Sequence, residues 1–303
     1  MAFDEMRTER FSGHESFSCR YGWLPKIYEA VTQFPDRLEN DDLATQSLGI
    51  GRNMVRSIWF WAEATEVVNI DGKRRMPGRL GRRLLDPDQG WDKYLEKLES
   101  TWMLHWSLSF RANLAAWNCV FGARRLTYFT RASLRSEIRR RAQSLGKTLV
   151  DSTIDQHIAV FLSSYIGQLG DAKASDADDG VWSPFQELNL IQQRSSDSGE
   201  LIYSVEDISP LGLTARAYLY CIREYWLRNF ADKRVVALSA LTSADGSPGC
   251  IFRFSDEDSR QLLHGVSMLT KGKVTLQDTM DTQNVIADWA SPEVVALIGA
   301  CHD

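Results

Sequence analysis

The sequence predicts a mainly α protein that carries small β-hairpins. Apolar residues recur at helical spacing in many segments, and two of these form helix pairs joined by short turns. Short strand-like segments around a polar or glycine-bearing turn follow each pair, which is typical of a hairpin. The chain has 303 residues, 44% of them hydrophobic, which is enough for two or three packed domains.

The first helix pair lies in residues 40–64. Asn40 is a good N-cap for the segment DDLATQSL, whose two aspartates lie at the positive end of the helix dipole. A glycine-bearing turn separates it from RNMVRSIWFWAEA. The two helices predict a helix-turn-helix, in which the first turn of the second helix enters the major groove of DNA. Helical spacing places the following residues on the polar side of that helix: Arg52, Asn53, Arg56, Phe60 and Glu63.

A hairpin follows this pair, because Asp71-Gly72 is a strong signal for a tight turn between strands. The hairpin would be the wing of a winged helix. Residues 52–83 hold eight basic residues against three acidic ones, and phosphate contact is the natural use of such a cluster. The alternative is a packing unit with a solvated arginine face. The predicted DNA-binding residues are Arg52, Asn53, Arg56, Lys73, Arg74 and Arg75.

Tryptophans crowd the helical region 91–122, which predicts a linking core that includes His105. A second helix pair follows, and Thr130 caps its first helix. The strands LNLIQQ and ELIYSVE come after an acidic loop at 167–180 and predict a second wing. The second helix of this pair is not basic, so the module could face either protein or DNA. His157 falls on its polar side and receives no role.

The remaining segments predict a small α+β carboxy-terminal region. SPLGLTARAYLYCIREYWLRNF is a helix, and Ser255 with Asp258 predicts a capping box at the start of another. A strand at KVTL and a helix near TQNVIADW complete the fold. The predicted fold is therefore tandem winged helix-turn-helix modules plus this α+β region. The predicted domains are an amino-terminal winged-helix DNA-binding domain at 1–90, a helical linker and second winged-helix-like domain at 91–230, and the small region at 231–303.

Charge divides the chain, although its net charge is −5. Residues 1–150 hold 24 Lys/Arg against 18 Asp/Glu, whereas residues 151–303 hold 11 against 22. A basic half carried by an acidic chain suggests a local footprint for a polyanion. No membrane span or signal peptide is indicated, so we expect a cytoplasmic protein. Five scattered cysteines predict neither a disulfide framework nor a zinc site.

Common catalytic signatures are missing from the sequence. It contains no phosphate-binding G-x-x-x-x-G-K-[ST], no G-x-G-x-x-G after a strand, no G-x-S-x-G and no H-E-x-x-H. No nucleotide cofactor is therefore expected. Asp71-Gly72-Lys73 has the spacing of a nuclease D-x-K pair, but turn chemistry explains it better.

The stretch FSGHESFSCRYGW, residues 11–23, has two interpretations. Ser12 and Glu15 have the spacing of a capping box that starts a helix. Alternatively, His14, Glu15 and Arg20 form a catalytic cluster that binds a phosphate or delivers a proton, because imidazole titrates near neutral pH and guanidinium binds oxyanions. Spacing favours the cap for Ser12 and Glu15, which leaves His14 and Arg20 to be explained.

Five segments together resemble the bacterial family named domain of unknown function 4007, which includes SspB-type DNA-nicking proteins of single-strand DNA phosphorothioation systems. They are FSGHESFSCRYGWLPK, LGIGRNMVRSIWFWA, WMLHW, SPF-x-EL-x-LI and GSPG-x-IF-x-FS. The resemblance covers nearly the whole chain. It implies DNA modification in anti-phage defence, in which sulfur replaces a non-bridging phosphate oxygen. The implied partners are double-stranded DNA, a cysteine desulfurase, an ATP-dependent sulfur-transfer enzyme and an ATPase.

Three functions fit these observations. The first is a DNA nicking endonuclease, an enzyme that opens one strand for sulfur incorporation, with a divalent metal, Mg²⁺ or Mn²⁺, as a possible cofactor. The second is a non-catalytic winged-helix adaptor that binds DNA and recruits the sulfur-transfer enzymes through its acidic second half. The third, a transcriptional regulator, fits the winged helices but not the family context.

Overall fold

The computed structural model describes residues 8–71, 74–123, 126–167, 182–279 and 282–299. The chain divides by its internal contacts into two compact units. The described part of the amino-terminal unit is 8–119 with 126–206, and that of the carboxy-terminal unit is 120–123 with 207–299. These units do not test the predicted division at residues 90 and 230, which stays a prediction.

The amino-terminal unit begins with a helix-helix-hairpin arrangement. Asn40 caps its second helix as predicted, because the Asn40 side chain accepts hydrogen bonds from the backbone N–H groups of Asp42 and Leu43. Asp71 lies opposite Arg74 in the predicted hairpin, and Gly72 and Lys73 lie outside the described residues. The elements are α1 (Trp23–Gln33), a 3₁₀ turn (Pro35–Leu38), α2 (Asp41–Leu48), α3 (Arg52–Ala64), β1 (Val68–Asp71), β2 (Arg74–Pro77) and α4 (Arg79–Leu85).

Two helices, α5 (Leu98–Phe110) and α6 (Ala115–Phe121), form the predicted aromatic core. Three tryptophans of this region, Trp102, Trp106 and Trp117, are fully buried. His105 is buried among them, and its Nδ1 lies 2.7 Å from the hydroxyl oxygen of Tyr165. The core interpretation of this segment is therefore confirmed.

The second helix pair and its hairpin also match the prediction. Thr130 forms a capping box with Ser133 at the start of the first helix. An earlier strand pairs with the hairpin, so the antiparallel sheet has the order β3-β5-β4. Residues 168–180 of the predicted acidic loop lie outside the described residues. The elements are β3 (Tyr128–Phe129), α7 (Arg131–Ser144), α8 (Asp151–Tyr165), a 3₁₀ turn (Pro184–Leu188), β4 (Ile191–Ser195) and β5 (Leu201–Val205).

The carboxy-terminal unit repeats this sheet order. Its antiparallel sheet runs β6-β8-β7, so again the last strand in the chain is central. The predicted capping box is present, with Ser255 and Asp258 as its members. The elements are α9 (Ala215–Asn229), β6 (Val235–Ala237), α10 (Leu238–Thr242), α11 (Pro248–Phe252), α12 (Asp256–Leu269), β7 (Val274–Asp278), β8 (Gln283–Ala287) and α13 (Pro292–Ile298).

The helix predicted near TQNVIADW is wrong, because this segment forms the strand β8. Val285 and Ala287 are buried, while Gln283 is exposed and the residues between are partly covered. This alternation fits a strand, and β8 is paired on both edges, with β6 and with β7. Pairing with the distant strand β6, together with the neighbouring strand β7, overrides the local pattern.

The fold class is confirmed at this level, since the described chain is mainly helical with small antiparallel sheets. None of the described helices combines the length and the apolar character that crossing a membrane requires.

Candidate nucleic-acid interface

The exposed part of α3 is its amino-terminal end. Arg52, Asn53 and Arg56 are all exposed, and the side chains of the two arginines retain 58% and 50% of their accessible surface. From Ser57 to Trp61 every residue is buried. The exposed cationic surface of α3 therefore lies in its first turn and a half, while Glu63 near its other end is partly exposed.

The prediction that Phe60 lies on the polar side of α3 is wrong. Phe60 is 5% exposed, because the segment before α1 covers it. A Cβ on Gly13 would lie 2.8 Å from the Phe60 ring, and the guanidinium of Arg10 lies 4.3 Å from its centroid. Helical spacing gives the direction of a side chain, but it does not show which distant segment packs over it.

Both exposed arginines of α3 face carboxylates on α2. Arg52 Nη2 lies 2.5 Å from Asp42 Oδ1, and Arg56 Nε lies 3.3 Å from Asp41 Oδ2. The aspartate side chains retain 74% and 36% of their accessible surface. The cations are thus oriented at the surface, and their charge is partly neutralised by this chain itself.

The two described arginines of the hairpin, Arg74 and Arg75, differ in exposure. Arg74 is exposed beside Asp71. Arg75 is only partly exposed: its guanidinium lies 3.9 Å from the centroid of the Trp59 ring, and its Nη1 donates to the carbonyl oxygen of Leu38 at 2.8 Å. Burial lowers the pKa of Arg75. Arg74 therefore extends the exposed basic surface, whereas Arg75 joins the hairpin to the helices beneath it. The third predicted cation, Lys73, lies outside the described residues.

The predicted helix cap at Ser12 and Glu15 is wrong. The first helix begins at Trp23, after Gly22 in a left-handed conformation. Residues 14–16 form a turn, in which the backbone N–H of Phe17 donates to the carbonyl oxygen of His14. Glu15 itself has a φ of 53°, and its carbonyl oxygen is the acceptor at the centre of this turn. The S-x-x-E segment therefore forms an irregular turn and does not start a helix.

His14 is buried in a chain of hydrogen bonds. Its Nδ1 lies 2.8 Å from the Glu15 carbonyl oxygen, and its Nε2 lies 2.8 Å from Nδ1 of His157. The backbone N–H of Ala116 donates to His157 Nε2 at 3.1 Å. His14 and His157 are 1% and 0% exposed.

These partners determine both tautomers. Because His157 Nε2 accepts a hydrogen bond, a neutral His157 carries its proton on Nδ1 and donates it to His14 Nε2. His14 then carries its proton on Nδ1 and donates it to Glu15. Burial lowers the pKa of His14 to about 4 and that of His157 well below its usual value, so both rings are neutral at pH 7. Each ring nitrogen already has a partner.

His157 is the functional candidate that sequence reasoning missed. It was placed on the polar side of its helix, and that placement is wrong because His157 is fully buried. A signal was present, since Ile154, His157 and Phe161 share one face at helical spacing. The partner, His14, is 143 residues away in the chain, which no local pattern can indicate.

Arg20 lies outside the histidine pair. Its guanidinium lies 5.3 Å from the ring centroids of both Phe17 and Trp23. These cation–π contacts hold a partly exposed arginine in place. The contacts described for Arg20 involve neither His14 nor Glu15, so the three predicted catalytic residues do not converge on one atom.

The described side chains do not form a site for a divalent metal ion. Within the part of the chain that the structure describes, no group of three or more His, Cys, Asp or Glu is placed to hold a metal ion. A cleft of about 510 Å³ beside the hairpin has two carboxylates in its lining, those of Asp36 and Glu39. Mg²⁺ binds oxygen ligands in near-octahedral geometry, and these residues form no such set. No chemical step is therefore assigned to a metal.

A family model and two solved structures resemble this chain over most of its length. A family model described as "Protein of unknown function (DUF4007)" matches residues 11–296. A solved structure described as "SspB crystal structure" is 27% identical, with a TM-score of 0.79, covering 96% of this chain and 86% of that chain. A second, "Magnesium ion-bound SspB crystal structure", is also 27% identical with a TM-score of 0.79, covering 92% and 83%. Comparison with curated protein sequences finds no significant match.

Proposed function

Because the chain belongs to the DUF4007 family and is similar to SspB, we propose that it binds double-stranded DNA in a bacterial phosphorothioation system and nicks one strand for sulfur incorporation. The similarity to SspB suggests a protein of such a system. The bound magnesium ion in one of the solved structures is a feature of that SspB protein. A divalent metal for this chain remains part of the proposal.

One observation carries the DNA-binding part of the proposal. The first turns of α3 place Arg52, Asn53 and Arg56 together on an exposed surface. Guanidinium groups contact phosphates and guanine edges, and an asparagine amide pairs with adenine. In DNA-binding helix-turn-helix proteins the second helix presents its amino-terminal end to the major groove, and α3 would do the same here. Arg74 on the adjoining hairpin would contact the backbone.

We also propose that the helix-helix-hairpin units are winged-helix modules. The sheet orders β3-β5-β4 and β6-β8-β7 support this, because in both an early strand pairs with the returning strand of a later hairpin. In the first module the strands β1 and β2 form a hairpin without an added strand. Three modules of one plan would place three hairpins along the chain, of which the first is the proposed wing on DNA.

A non-catalytic adaptor remains the second candidate, and the histidine pair favours it. His14 is buried, and both of its ring nitrogens are occupied by partners within the chain. A general acid or base must reach the proton that it transfers. Glu15 and Arg20, which are partly exposed, are then the remaining members of the predicted cluster.

The DNA contact is tested by the double variant Arg52→Ala/Arg56→Ala. We expect a 10- to 100-fold weaker affinity for duplex DNA, on the order of 1–3 kcal/mol, and a salt slope smaller by about two, because each phosphate contact contributes roughly 0.9. Fluorescence anisotropy at several salt concentrations measures both quantities. The matched control is Arg135→Ala/Arg139→Ala on the second helix pair. An unchanged affinity and slope for the first variant would mean that α3 faces another partner.

Strand nicking is tested with supercoiled plasmid, Mg²⁺ or Mn²⁺ and the purified protein. We expect open-circular product. We expect its loss in Glu15→Gln or Arg20→Ala, because these are the partly exposed members of the predicted catalytic cluster. Neither substitution changes a side chain of the histidine pair. DNA binding serves as the folding control for each variant. Intact binding with no open-circular product under either metal would reject the nickase and favour the adaptor. Full nicking by both variants would remove the cluster from the active site.

A further inference from the structure

The charged pairs that join the two helices of each module have opposite polarity in the first and second modules. In the first module the carboxylates lie on α2 and the arginines on α3. In the second module the arginines lie on α7 and the carboxylates on α8, where Arg135 pairs with Asp155 and Arg139 pairs with Asp151. The arrangement in the first module puts two carboxylates directly against the proposed DNA-binding arginines.

These carboxylates have a local reason to stay where they are. Asp41 and Asp42 occupy the first two positions of α2, after the Asn40 cap. Backbone N–H groups at a helix start favour negative charge, so the aspartates are stabilised independently of the arginines. A DNA phosphate that approaches Arg52 or Arg56 must therefore displace a carboxylate that remains nearby.

The pairs are weak enough to be displaced. All four side chains are at least one-third exposed, and exposed ion pairs are weak and screened by salt. A phosphate can take the place of each carboxylate, but it meets the repulsion of that carboxylate as it binds. The carboxylates would therefore lower the affinity for any duplex.

We propose that Asp41 and Asp42 act as a carboxylate gate on the DNA-binding end of α3. The gate rests on the proposed DNA-binding function. It suppresses binding that depends on phosphates alone, so that stable binding requires further contacts from Asn53 and the hairpin. The ligand at Arg52 and Arg56 is the phosphate backbone, and the internal aspartates are its competitors.

The test uses Asp41→Asn/Asp42→Asn and a random-sequence duplex. We expect binding to become about 5- to 30-fold tighter, since two exposed pairs and their repulsion of phosphate are removed. The matched control, Asp151→Asn/Asp155→Asn, changes the net charge equally on the second module and is expected to tighten binding by less than about 2-fold. Circular dichroism and thermal unfolding confirm that both variants are folded.

A cycle with Arg52→Ala/Arg56→Ala locates the effect. In that background the asparagine substitutions are expected to tighten binding by less than about 2-fold, like the control, because most of the gate's effect acts through the two arginines. An equal gain in both asparagine variants, or a full gain that survives without the arginines, would overturn the gate in favour of general electrostatics. Binding that requires the arginines but is unaffected by Asp41→Asn/Asp42→Asn would overturn the gate alone. Absence of DNA binding by every variant would instead reject the proposed function.

Discussion

His14→Ala is expected to lower the free energy of unfolding by about 3 kcal/mol or more. The substitution leaves the Nδ1 proton of His157 without its acceptor and opens a cavity in a packed core. A buried polar group without a partner costs about 1–3 kcal/mol, and lost packing adds to it. The His14 ring also packs against Phe60 and Trp61, with centroids 5.5 and 6.3 Å away.

Urea unfolding measures this change, with His264→Ala as the control because His264 is exposed on α12. The control should stay within about 0.5 kcal/mol of the original protein. His157→Ala should destabilise the protein by a similar amount. The double variant should lose less free energy of unfolding than the sum of the two single variants, because both substitutions remove the same hydrogen bond. A fully stable His14→Ala protein would contradict a structural role for the histidine pair.

Acid is expected to destabilise the protein through the same pair. The unfolded chain protonates its histidines near pH 6.5, whereas burial lowers the pKa of His14 to about 4 and that of His157 well below 6.5. Between these values the unfolded state binds more protons, so stability is complete above about pH 6.5 and falls as pH decreases towards 4. Each histidine contributes a slope of up to about 1.4 kcal/mol per pH unit.

Urea midpoints between pH 7 and pH 5 check this dependence. Arg10 is the charged group that adds to the lowering for His14, and His14 adds to that for His157. His14→Asn removes one titrating ring and should therefore reduce the slope. A pH-independent midpoint in the original protein would contradict neutral, buried rings.

Local signals predicted the parts of the fold that are decided locally. Asn40, Thr130 and Ser255 were expected to cap helices, and each accepts the expected backbone hydrogen bond. The hairpins at β1-β2 and β4-β5 were likewise marked by their turns. Short-range hydrogen bonding decides these features, and the sequence displays it within a few residues.

Features decided by distant segments could not be predicted in the same way. β8 is a central strand because the distant β6 pairs with its free edge, and Phe60 is buried because residues around Gly13 cover it. The candidate interface shows both cases. The exposed Arg52 and Arg56 were predicted from helical spacing, but their aspartate partners depend on how α2 packs against α3.

The shared strand order of the two larger sheets predicts an order of events in folding. In each sheet the last strand to leave the ribosome is the central one, so β3 and β6 have no strand to pair with until β5 and β8 exist. The hairpins β4-β5 and β7-β8 close over short loops and form first, and the early strands add afterwards at a greater cost in loop entropy. The β1-β2 hairpin waits for nothing downstream. We therefore expect each larger sheet to be completed from its carboxyl end backwards, whereas the strands of the first module can pair as soon as they are synthesised.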